Sequence, residues 1–253
     1  MAGQPFMGDK MFKIKNKDYR EDLNSIIEKL KNRENFAFSK YADGELHILA
    51  NKPVNNGEFW FIPEENSKQR QQLIDSLRFK NNNYAVGISC PCCIGGTTVH
   101  NWYKKQSGQE LSHLTWANLF VNGNHTYYLK TMVPLFSEYE VVLVSNSSSN
   151  LDRLPFKVKK HFMIGKNAWV DDHNMVDELK DYINNENIEN HLFLFCAGPF
   201  GNLLAHQLFD FDEKNTYLDI GSTLNVYLLG AAGKNRGYLR GDPSLNKICI
   251  WGE

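Results

Sequence analysis

Residues 191–209 read HLFLFCAGPFGNLLAHQLF: a short apolar run, a turn marked by Gly198 and Pro199, and then a second apolar stretch long enough for a helix. A strand with no polar face is a strand covered on both sides, which is the condition of a parallel sheet sandwiched between helices. The same grammar recurs on either side. Downstream, FGNLLAHQLF leads into TYLDIG at 216–221; upstream, DDHNMVDELKDYI at 171–183 leads into HLFLFCA, with Met175, Val176, Leu179 and Ile183 forming an apolar stripe. Further back, HTYYLKTMVPLFSEY (125–139) precedes VVLVS (141–145), and ENSKQRQQLIDSLRF (65–79) precedes YAVGIS (84–89). Near the start, Leu23, Ile26, Ile27 and Leu30 fall at i, i+3, i+4 and i+7, so a helix with one buried stripe delivers the chain to FAFSKYADGEL at 36–46. Helices alternating with apolar strands predict a doubly wound α/β fold.

The expected organisation is one Rossmann-like domain over residues 18–253, a mostly parallel sheet with helices on both faces, preceded by a flexible arm at 1–17 that is polar and lysine-rich. No repeat, Pro/Ser-rich linker or charge block divides the 253 residues. With 28 basic and 29 acidic residues, the chain lacks the electrostatic footprint of a dedicated nucleic-acid binder. No apolar stretch is long enough to span a membrane, and the N-terminus lacks the apolar segment of a secretory signal, so a cytoplasmic protein is expected. Five cysteines are an odd number, and Cys90, Cys92 and Cys93 crowd into SCPCCIGG. That cluster with His100 nearby is a weak zinc pattern because a second pair of ligands is missing. Reduced thiols in a tight Gly-rich loop are the simpler account.

In parallel α/β sheets ligands collect beyond the carboxyl ends of the strands, so the residues after each apolar run carry the functional information. The first such place is Asp43-Gly44-Glu45. On extended backbone two carboxylates at i and i+2 project to the same side, a set suited to Mg²⁺ or Mn²⁺, and Gly44 admits close approach to the main chain. The alternative there is a solvated turn with Glu45 at a helix start. The second is Ser145-Asn146-Ser147-Ser148-Ser149-Asn150, whose hydroxyls, amides and turn N–H groups can hold phosphate or sugar oxygens, or can simply form a polar loop. The third is the Cys196–Asn202 turn. Gly198 and Gly201 permit close backbone approach, Asn202 adds a polar group, and the following helix start attracts an anion; a tight turn is the alternative. The fourth is Asp219-Ile220-Gly221-Ser222. Asp219 could bond ribose hydroxyls or act as a general base, or it could cap a turn. No G-x-G-x-x-G, G-x-S-x-G or H-x-x-x-H appears, so dinucleotide, serine-hydrolase and zincin readings lack their markers. Of the tryptophans, Trp60 and Trp102 are the candidates for stacking on a sugar.

FSKYADGEL, FCAGPFGNLLAHQL and YLDIGSTLN, in this order over residues 35–225, resemble the GT-D-fold glycosyltransferases, known from bacterial enzymes that extend glycans on serine-rich surface glycoproteins. The resemblance implies a hexosyltransferase-like enzyme with a nucleotide-sugar donor, UDP-sugar favoured, and a glycan or other hydroxyl acceptor. It implies Asp43 and Glu45 on a manganese ion that contacts the donor diphosphate, and Gly198 with Pro199 as the donor-side turn. Departures from the family pattern are Lys40 for Arg, Ala42 for Gly, Phe200-Gly201-Asn202 for T-A-K, and Ser222 for the His of D-I-G-H. Lys40 keeps the charge but loses the bidentate fork. A binding module for nucleotide sugars or glycans and a metal-assisted phosphoesterase are the rival readings; the second commonly needs two ions and further acidic or His ligands.

Overall fold

The structure is a computed structural model and describes residues 11–230 and 247–252. The chain begins with α1 (Tyr19–Lys31), β1 (Ala37–Tyr41) and α2 (Asp43–Leu49), then a small hairpin of β2 (Val54–Asn55) and β3 (Trp60–Phe61). α3 (Ser67–Arg78), β4 (Tyr84–Ile88), α4 (Gly96–Ser107), β5 (Leu114–Trp116) and α5 (His125–Thr131) follow. The second half holds β6 (Val141–Asn146), β7 (Val158–Ile164), α6 (Ala168–Asp171), α7 (Met175–Asn185), β8 (Leu192–Cys196), α8 (Pro199–Phe211), β9 (Thr216–Asp219) and α9 (Asn225–Leu228).

Among the described residues, seven strands form one sheet in the order β5-β4-β1-β9-β8-β6-β7, with every pairing parallel. The expected single Rossmann-like α/β architecture is the one observed. Alternate residues of each strand enter opposite cores, as the period of two demands. Val142, Val144, Phe193 and Phe195 join Leu73, Leu77, Leu204 and Leu208 on the face covered by α3, α7 and α8. Val141, Leu143, Leu192 and Leu194 join Leu23, Ile26, Leu30 and Phe136 on the face covered by α1 and α5. Each such fully buried aliphatic side chain contributes roughly 1.5–3 kcal/mol relative to exposure.

Strand order fixes where a ligand can enter. After β6 the chain moves outward to the edge strand β7, whereas after β8 it moves inward to β9, so the loops of these adjacent strands part in opposite directions. Such a divergence opens a crevice at the carboxyl edge. Register keeps its lips level: Ser145 pairs with Cys196, and Phe195 with Asp219.

Several elements depart from expectation. β7 carries VKKHFMI with two adjacent exposed lysines, so it has none of the apolar continuity that marks its neighbours. That is the composition of an edge strand. The helix expected over 125–139 ends at Thr131 and continues as a 3₁₀ turn from Val133, because Pro134 cannot continue an α-helical ladder. The arm expected at 1–17 is not loose where it is described. Met11 and Phe12 are buried, and Phe12 N donates to Ser112 O at 3.0 Å. Lys17 forms a buried ion pair with Asp22 at 3.2 Å, and Thr115 Oγ1 donates to the same carboxylate. Burial lowers the Lys17 pKa and raises that of Asp22, so desolvation outweighs their attraction. Residues 1–10 of that arm lie outside the described residues. No helix among the described residues is long and apolar enough to cross a membrane.

Candidate functional site

A cleft of about 510 Å³ opens at the carboxyl edge of the sheet. Four segments singled out in the sequence contribute to it: Lys40 with Asp43, Gly44 and Glu45; Ser145 with Asn146; Gly198 with Pro199; and Ser222. Segments separated by more than a hundred residues therefore share one wall-and-floor system. Gly44 and Gly198 are linked by one ring, since a Cβ at Gly44 would lie 2.7 Å from Phe59 Cζ and a Cβ at Gly198 3.6 Å from Phe59 Cδ1. The acidic turn and the glycine turn thus face each other across Phe59.

The local geometry of the acids differs from the extended segment expected. β1 ends at Tyr41 and α2 starts at Asp43, so Asp43 and Glu45 occupy its first and third positions. Two residues apart on a helix, side chains point about 160° apart around the axis. Asp43 is exposed at the cleft, whereas Glu45 is buried and its Oε2 accepts from Ala42 N at 2.8 Å, satisfying a backbone donor that the helix start leaves orphaned. Tyr103 OH donates to Ala42 O at 2.6 Å and pins the same turn. A hard divalent ion binds through one or two carboxylates and completes its shell with water and phosphate oxygens. Asp43 alone offers such an ion a carboxylate at the cleft, because Glu45 is turned away and engaged by Ala42 N, so the expected pairing of the two acids on one ion is not met by this geometry.

Three residues expected at the site, Asp219, Gly201 and Asn202, lie beneath the floor instead of in it. Asp219 does not line the cleft: it is 1 % exposed and accepts from Lys40 N at 3.3 Å and Gly221 N at 3.1 Å. Its carboxyl is pushed up to about 7, chiefly by burial; the Lys40 charge opposes the shift and Glu45 adds to it. Gly201 is the contact that permits this, because a Cβ there would stand 2.9 Å from Asp219 Oδ1. Asn202 is fully buried, and its Nδ2 donates to Lys40 O at 2.6 Å and Ser39 Oγ at 3.1 Å, a strut between α8 and β1. Neither Gly201 nor Asn202 lines the cleft. The side chain of Lys40 runs over Gly221, where φ is +52° and a Cβ would meet Lys40 Cε at 2.5 Å. The glycine of Asp219-Ile220-Gly221 thus has two reasons to be glycine.

On the opposite lip, Ser145 Oγ is buried and bonded to His161 Nε2 at 2.9 Å. Asn146 Oδ1 accepts from Ser148 N at 3.0 Å and Ser148 Oγ at 2.7 Å, a self-supported turn that shapes the lip.

Sequence reasoning missed part of the lining. The hairpin loop Asn56–Phe59 roofs the cleft, and Lys166, exposed after β7, adds a second cation to Lys40. Two-residue strands carry no readable period, and β7 hides among lysines. Trp60 borders a separate shallow groove, and Trp102 packs edge-on against Tyr103, so neither enters the cleft. The tryptophan that does is Trp169, held by its Nε1 donating to Asn167 Oδ1 at 2.9 Å.

No family model and no curated protein matches the chain. Two solved structures of a domain of unknown function, number 1792, match its fold. The selenomethionine form superposes with a TM-score of 0.54 at 15% identity over 91% of this chain and 90% of that one. The second, described as having a distinct glycosyltransferase fold, does so with a TM-score of 0.52 at 16% identity and the same coverage. The likeness expected to GT-D-type glycosyltransferases is met in the fold.

Proposed function

We propose that this chain is a metal-dependent, hexosyltransferase-like glycosyltransferase that takes sugar from a nucleotide-sugar donor, UDP-linked in the first instance, and passes it to a hydroxyl of a carbohydrate or glycosylated acceptor. The observation that supports this reading most is the meeting of Asp43, Lys40, Lys166, Gly198 and the Ser145 lip at one cleft, in a fold shared with a structure described as a glycosyltransferase fold. Glycosyl transfer builds positive charge on the sugar ring and negative charge on the departing diphosphate. Lys40 and Lys166 counter the second charge, and the start of α8 at Gly198 adds its partial positive end. Asp43, the carboxylate presented to the cleft, would hold a manganese or magnesium ion, with water and donor phosphate oxygens completing its shell; such an ion would supply Lewis-acid stabilisation worth several kcal/mol.

Each remaining residue acts by position. Asp219 fixes the backbone at Lys40 and Gly221 from below; being buried, it is a positioning residue and not the acceptor's base. Asn202 ties the donor-side helix to the same strand. Phe59 over Gly44 and Gly198 excludes water from the reacting face. Asp219, the extra acid that a two-ion phosphoesterase would recruit, is committed to backbone donors instead.

Thermal shifts with UDP-, GDP- and dTDP-sugars, with and without Mn²⁺, identify the donor, since a ligand of the folded state raises its stability by mass action. With that donor and no acceptor, the chain should release free sugar slowly. Asp43→Ala should cut this turnover by about 10²- to 10³-fold with an unchanged melting curve. Wild-type-like turnover in that variant would reject the assignment, and donor binding without any release would make the chain a binding module.

A further inference from the structure

Cys90, Cys92 and Cys93 leave β4 in one tight loop, and Cys249 arrives from the C-terminal segment more than 150 residues later, yet the four sulfurs all lie within 4.8 Å of one another. From this geometry we infer that the four thiols form a structural zinc site, independent of the cleft chemistry proposed above. Four sulfurs around zinc at ~2.3 Å stand about 3.8 Å apart along the edges of the tetrahedron. The separations here bracket that figure: Cys90 and Cys92 are 3.4 Å apart, and Cys93 and Cys249 4.0 Å.

The surroundings match a thiolate–metal centre better than a packed apolar corner. Asn118 Nδ2 donates to Cys93 Sγ at 3.2 Å, and Asn122 Nδ2 donates to Cys249 Sγ at 3.3 Å. Amide donors aimed at sulfur stabilise the anionic form and orient ligands in metal sites. Lys247 Nζ donates to Cys92 O at 2.6 Å, bringing a positive charge to a centre that carries two net negative charges when four thiolates hold one Zn²⁺. Hard cations are excluded by the donor set, because thiolates select zinc and other soft or borderline metals. His100 lies outside this set of four, with its Nδ1 paired to Ser89 O at 2.8 Å and its ring packed edge-on against Trp251.

The site supplies a clamp. The C-terminal segment is also held by Gly123 N donating to Lys247 O at 3.0 Å, Trp116 Nε1 donating to Ile250 O at 3.1 Å, and the edge-on packing of Trp251 against Trp116. Closing a loop of this length by a metal gives a large entropic return. Asn118 also lines the cleft, so a zinc ion here stiffens one cleft wall from behind.

The full-length chain, produced in zinc-supplemented medium and purified with reductant and without chelator, should carry about one zinc per chain by elemental analysis. Cobalt replacing zinc should give thiolate-to-metal charge-transfer absorption and the visible bands of a tetrahedral tetrathiolate. Cys249→Ser should weaken zinc binding by at least about 100-fold. If that variant does not fold, the cobalt spectrum of the wild-type chain decides. Metal-free protein lacking that spectrum, a Cys93–Cys249 disulfide formed in place of metal binding, or an iron–sulfur chromophore would each overturn the assignment. Sugar-donor turnover is not among the readouts, so failure here leaves the proposed activity standing, and the reverse holds too.

Discussion

The acidic side of the cleft and the cysteine corner are both clusters of potential ligands, and they are built in opposite ways. Asp43 and Glu45 are neighbours in sequence, but the helix that starts there turns them apart; Asp219, the third acid, sits beneath them on buried backbone donors. Cys249 is remote from Cys90, Cys92 and Cys93 in sequence, but the fold brings all four sulfurs within 4.8 Å of one another. Closeness along the chain therefore does not imply convergence, because local backbone geometry decides where adjacent side chains point. The acids have three different tasks. The thiols share one.

That contrast breaks if the three acids respond alike. The largest effect is expected at Asp219. Its folded pKa, about 7, lies above the ordinary 3.8 because burial penalises the carboxylate. The folded state therefore keeps a proton that the unfolded chain has released. The stabilising contribution is fully present below about pH 4 and is lost as pH rises towards 7, a change on the order of 4 kcal/mol. Denaturant titrations across that window should show stability attributable to this group falling with pH, and Asp219→Asn should flatten the slope. An unchanged slope would return Asp219 to the same class as Asp43.

The cysteine side is sharpened by Asn122→Ala. Removing an amide donor from Cys249 should lower zinc affinity about 10- to 100-fold, read by competition with a chromogenic chelator, while sugar-donor binding stays as it was. Equal losses in both assays would show the corner and the cleft to be a single unit. The smallest effect is expected at Glu45. Glu45→Ala removes the acceptor for Ala42 N and should cost about 1 kcal/mol in thermal or chemical unfolding, whereas Glu45→Gln retains that acceptor and should restore most of the stability without restoring the charge. Equal destabilisation by the two changes would mean that the carboxylate charge, and not the capping bond, holds the turn.

Much of the fold was legible because its signals are local. The apolar runs at 84–88, 141–145 and 192–196 became strands at nearly their expected bounds, and the stripe of Leu23, Ile26, Ile27 and Leu30 became the buried face of α1. β7 was not legible, since an edge strand needs no apolar face, and the β2–β3 hairpin is too short to show a period. Asp43, Gly44, Glu45, Ser145, Asn146, Gly198, Pro199 and Ser222, from the strand-end turns, line the cleft, as does Lys40, which only the family resemblance singled out. Asp219, Gly201 and Asn202 fall one layer deeper, because whether a strand-end side chain faces the crevice or the sheet interior depends on the helix packed against it.

By itself, the sequence determined the alternation of helices and apolar strands, the parallel sheet that this alternation requires, and the order in which polar loops leave its carboxyl edge. Those properties follow from periodicity and turn chemistry, which act between residues a few positions apart. Only the tertiary structure decided that Phe59 bridges Gly44 and Gly198, that Asp219 lies under Lys40, and that Cys249 completes a set of four thiols. Each of these is a meeting of segments distant in sequence, and such meetings are set by how whole layers pack, for which no short stretch of chain carries a signal.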